Sequence, residues 1–99
     1  MTIIKKYVEH MEDELEGAKD YAELYVDYKV RGDTATAQKM LEASKQEHAH
    51  AMLWHDIAVK EIEKINKTIT PPQEMLDKWE HKHKEYMEES AKIKMMWTM

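Results

Sequence analysis

Glu47 and His50 stand three residues apart, a spacing that puts a carboxylate and an imidazole on one face of a helix. The residues around them at helical spacing are Met40, Leu41, Ala51, Trp54, Ala58, Ile62 and Ile65, an apolar stripe in which two polar side chains need a reason. Earlier in the chain Glu14 interrupts a similar stripe, in line with Tyr7, Tyr21 and Tyr28. Carboxylate oxygens combined with imidazole nitrogen suit iron and manganese, and zinc would also bind. The Glu-x-x-His spacing is weak by itself. With 14 Glu and 6 His in 99 residues it is expected about once by chance. The sequence contains it twice, at Glu47/His50 and Glu80/His83. Glu14 is what separates the first pair from the second.

The elements that position these residues are helices. Two Gly and two Pro, with 35% charged and 42% hydrophobic residues, predict an all-α chain forming one domain over residues 1–99. Apolar positions Ile4, Tyr7, Val8, Met11, Leu15, Ala18, Tyr21, Ala22, Tyr25 and Tyr28 predict a first helix over about 3–31. Gly17 lowers its helix propensity for no reason that the sequence supplies. Gly32 suits a left-handed helix end, and Asp33 or Thr34 suits the cap of a second helix over about 34–67. Thr70-Pro71-Pro72-Gln73 reads as a capping box, with Thr70 as N-cap and Pro71 in the first turn of a third helix over about 71–95.

A turn as short as the first makes helices one and two an antiparallel hairpin. Centred near residues 32 and 33, it sets residue i level with about residue 65 minus i at 1.5 Å rise per residue. His50 is then level with Leu15, and Glu47 lies about one turn nearer the loop, so Glu14, Glu47 and His50 converge at one height. The same reasoning about the second turn sets Glu80 and His83 roughly 15 to 20 Å away along the bundle. Glu80, His81 and His83 are expected on a solvated, charged face. A hairpin cannot bury both of its stripes by itself. A second copy gives a four-helix bundle about a two-fold axis, in which four carboxylates and two imidazoles surround one point. Two divalent cations there offset a burial cost of several kcal/mol for each unpaired carboxylate.

The run Glu14-Leu15-Glu16-Gly17-Ala18-Lys19-Asp20-Tyr21, followed by Glu47-His48-Ala49-His50-Ala51, resembles the metal-binding half of rubrerythrin-like members of the ferritin-like superfamily. Glu14, Tyr21, Glu47 and His50 carry the resemblance, over residues 7 to 65 or so. It implies a non-haem di-iron carboxylate protein, two irons per dimer, with ferroxidase or peroxide- or oxygen-reducing activity. It also implies a homodimer or larger even-numbered homo-oligomer. Family members usually hold both half-bundles in one chain; the two-helix format here is similar to that of encapsulated ferritins. No cysteine is present to build a rubredoxin-type electron-donor domain, so a peroxidase role calls for an external donor. The alternative is a non-enzymatic helical assembly module that keeps polar residues at its interface for register.

Around the centre, His10, Tyr21 and Trp54 are candidates to support the ligands, the alternatives being a partly exposed polar residue for His10 and core packing for Tyr21 and Trp54. His48 and Glu42 point off the stripe and are expected in solvent. Tyr25 and Tyr28 belong to the packing, and Met95-Met96-Trp97-Thr98-Met99 is expected against a partner or another subunit. A net charge of −5 with both signs interspersed gives no basic patch for nucleic acid. No apolar run approaches the roughly 20 residues of a membrane span, and the start lacks the core of a signal peptide. The cytoplasm, or the interior of a protein shell, is the expected location.

Overall fold

The computed structural model describes residues 2–99. Three helices follow one another: α1 (Thr2–Val30), α2 (Thr34–Thr68) and α3 (Gln73–Trp97). They run up, down and up in a rod of 55 × 17 × 17 Å, the length that 35 residues of α2 require at about 1.5 Å each. Among the described residues no helix is long and apolar enough to cross a membrane.

The first turn follows its sequence signals. Gly32 takes a left-handed φ of 81°, and the Asp33 carboxylate accepts a hydrogen bond from the Thr36 amide at 3.1 Å. The second turn departs from the capping box. Pro72 is itself the N-cap and makes no side-chain cap bond, so α3 starts two residues later than expected. The Gln73 amide turns forward to Asp77 at 2.9 Å instead of reaching back to Thr70. Ile69 leaves α2 in an extended conformation, which suits a segment about to enter two prolines.

Small residues let the helices approach closely. Ala18, Ala22, Ala51 and Ala58 are fully buried, and Met11, Leu15, Tyr86 and Ile93 fill the space between them. The α1–α2 register agrees with the sequence reading to within a few residues. His50 faces Glu14, His10 faces Trp54, and the Ser44 hydroxyl donates to the Ala18 carbonyl at 2.6 Å. Between α2 and α3, His48 pairs with Ser90 and His55 with His83, about two residues from the expected level.

The wide stripe expected on α2 divides into two faces. Ser44, His48, Ala51, Ala58 and Ile62 are buried toward α3, which lies along its own hairpin. Glu47, His50 and Trp54 sit beside them on a second face that α3 leaves open. His48 is therefore a correction: it is 5% exposed and bonded to Ser90 at 2.6 Å, not turned to solvent. Trp97 is another. Its indole N–H donates to Ser44 at 2.8 Å and, with Met96, it packs on the chain's own core, not on a partner. The neighbouring Met95 and Met99 are exposed.

Candidate metal centre

α1 presents Glu14 and α2 presents Glu47 and His50, and their ligand atoms all lie within 4.8 Å of one another. His50 Nδ1 stands 3.5 Å from Glu14 Oε2. The Glu14 side chain is 29% exposed and that of His50 57%, so the cluster sits on the rim of the open face and not in the core. Hydrogen bonding to the Glu14 carboxyl comes first in holding Glu47 above the ordinary carboxylate range, ahead of desolvation and of the Glu14 charge, while His50 pulls it down.

Gly17 now has a reason. A Cβ at this position would stand 3.1 Å from Glu47 Oε2, closer than side chains normally tolerate. The missing side chain leaves the cradle into which the Glu47 carboxylate leans from the facing helix. Such a cradle, with two carboxylates and an imidazole converging on it, fits a divalent cation that prefers oxygen and nitrogen donors.

The surrounding residues separate into those that touch the centre's neighbourhood and those that do not. Trp54, one turn beyond His50, is stacked between Tyr7 at 5.7 Å and His10 at 4.6 Å between ring centroids. His10, one turn before Glu14, is thus held against the indole on the exposed surface. Tyr21 lies on the same open side of α1 at 36% exposure, with Leu24 beside it at 40%. Glu42 is exposed as expected, and Tyr25 is buried. Of the second Glu-x-x-His pair, Glu80 is exposed, and His81 is exposed in an ion pair with Glu85 at 2.6 Å. His83 corrects the expectation of a wholly solvated face, because it turns inward to His55.

Two further groups were not singled out in the sequence as functional. One is the buried polar seam of Ser44, His48, Ser90 and Trp97. Burial, and then the charge of Lys94, push His48 below its ordinary value. The other is the pair His55 and His83, which share the α2–α3 level. A pairing signal was available: 48 to 55 and 83 to 90 are both seven apart, which matches antiparallel helices in contact. No protein-family model, curated protein or solved structure matches this chain.

Proposed function

We propose that this chain is half of a di-metal carboxylate protein, in which two copies join through their open hairpin faces. The observation that carries the reading is the convergence of Glu14, Glu47 and His50 from two helices beside the Gly17 cradle. Each chain supplies two carboxylates and one imidazole, so a symmetric pair supplies the four carboxylates and two imidazoles that hold two metals in bundles of this kind. The copies meet through the side that carries Trp54, Tyr21 and Leu24, with each α3 on the outside.

Iron is the proposed occupant, and a pair of Fe2+ supplies the electrons that reduce dioxygen or peroxide. The protein's part is to prepare the place. Glu14 and Glu47 supply the carboxylates, and a cation arriving between them favours the ionised form of Glu47 that its setting beside Glu14 disfavours. His50 fixes one edge of the site with a neutral nitrogen. Trp54, one turn beyond His50, stacks on Tyr7 and His10 and ties α1 to α2 beside the site. A rubrerythrin-like or ferritin-like relationship is part of this proposal, and so is ferroxidase or peroxide-reducing activity.

The experiment is metal analysis of protein purified from iron-supplemented cells, followed by Fe2+ oxidation assays. The expected result is about one iron per chain, lost in Glu47→Ala and in His50→Ala. If the protein is metal-free and both variants bind iron as the parent does, the reading fails. A metal-free assembly module then explains the polar residues. It makes its own prediction: removing Glu14 and Glu47 together leaves stability equal or improved.

A further inference from the structure

His55 and His83 form a second constellation, on the α3 side of α2. His55 Nε2 and His83 Nδ1 are 2.8 Å apart, and the two rings lie within 25° of parallel. The Asp56 carboxylate reaches the other nitrogen of His55, Nδ1, at 3.2 Å. Tyr86 stacks on His55 at 4.5 Å, and Trp79 stands 5.7 Å from each imidazole. The His55 side chain is 14% exposed and His83 is half-buried, so the pair is sheltered but reachable.

The hydrogen bonds fix the protons. A carboxylate only accepts, so His55 Nδ1 donates to Asp56 and, in neutral His55, Nε2 carries a lone pair. His83 Nδ1 then donates to that lone pair. A carboxylate that orients an imidazole so that its far nitrogen is free is the arrangement that tunes histidine ligands for metals. The separation also suits a cation. Two nitrogens bound about 2.0 Å from one ion at a right angle lie about 2.8 Å apart, the spacing of tetragonal Cu2+ or Ni2+ sites.

We propose that His55 and His83 are a second, independent metal site, a two-imidazole clamp for Cu2+ or Ni2+ that joins α2 to α3. The cation displaces the shared proton. Each ring tilts so that its lone pair converges off the line between the nitrogens, and water fills the remaining positions. Asp56 is a positioning residue that holds the His55 ring through Nδ1 and leaves Nε2 facing His83. The clamp is separate from the first centre: His55 is five residues beyond His50, about 7 to 8 Å along the axis, and turned toward α3 instead of the open face.

Nickel chloride titration by calorimetry tests this on the wild-type protein and on His50→Ala, His83→Gln and Asp56→Asn. The expected result is a Ni2+ binding event that survives His50→Ala and is lost in His83→Gln. Asp56→Asn, at a largely exposed side chain, should weaken it at least about tenfold without changing the metal-free melting temperature. Ni2+ should also raise the melting temperature of the wild type and of His50→Ala, because the ion binds only the docked helices. The proposal is overturned if all Ni2+ binding disappears with His50→Ala, or if Ni2+ binds equally well to His83→Gln. If His83→Gln does not fold, Asp56→Asn decides, and unchanged Ni2+ affinity in that variant overturns the proposal.

Discussion

Gly17 shows how a single residue can favour the site over the fold. Replacing it with Ala removes a helix-interior glycine, worth about 0.5–1 kcal/mol of stability. The added Cβ meets Glu47 Oε2 at 3.1 Å, so the carboxylate must shift by a few tenths of an ångström. The expected outcome for Gly17→Ala is a metal-free protein of equal or higher stability in urea and a weaker metal affinity by titration. Loss of stability together with unchanged affinity would mean that the glycine serves packing alone. Glu47 also predicts a pH dependence. Its carboxyl is raised in the fold, so its contribution to metal-free stability is full below the unfolded value of 4.5 and is lost as pH rises through the higher folded value. In the proposed centre a divalent cation would take the place of that proton. Melting temperatures measured from acid to neutral pH should therefore show a metal-induced gain that grows with pH, absent in Glu47→Ala.

At the scale of the element, α3 is held by the seam of His48, Ser90, Ser44 and Trp97. Ser90→Ala leaves His48 Nε2 buried without its partner, a loss of about 1–3 kcal/mol expected in denaturant unfolding. His48 is pushed down by burial, so its stabilising effect is complete above an unfolded value of about 6.5 and is lost as pH falls through the lower folded value. The melting temperature should drop on acidification through that window, and drop less in His48→Gln. The seam also marks what the sequence could and could not reveal. Glu14, Glu47 and His50 were legible because a short turn and a fixed helical rise set their heights, and a helix has little freedom to disobey. His48 lies outside what helical spacing can place, because spacing alone does not say how wide a buried stripe is. One more helix along α2 turns a flank position into a core one. The start of α3 departs from its capping pattern for a different reason. Thr70-Pro71-Pro72 satisfies the capping pattern, but two consecutive prolines hold the backbone extended past the first possible start. Nothing in the sequence neighbourhood of Trp97 announces its bond to Ser44, 53 residues earlier.

On the scale of the whole molecule, one chain covers only one side of its hairpin. α3 lies over the face of Ala51, Ala58 and Ile62, and the side bearing Glu14, Glu47, His50, Tyr21 and Leu24 stays open. In the proposed dimer, closing two copies over that side would complete the ligand set and cover the exposed Tyr21 and Leu24 in one step. Leu24→Glu, a charge placed on the open side away from the ligands, is expected to shift the protein toward monomer by sedimentation and to weaken metal binding with it. If the variant becomes monomeric but binds metal as tightly as before, each chain holds its ion alone. Metal content and mass read from the same sample test the proposed dimeric centre most directly. Light scattering coupled to elemental analysis of iron-loaded protein should give an even-numbered oligomer carrying about one iron per chain, with both lost or reduced in Glu47→Ala. A metal-free monomer, or a parent and variant with equal iron, would contradict it.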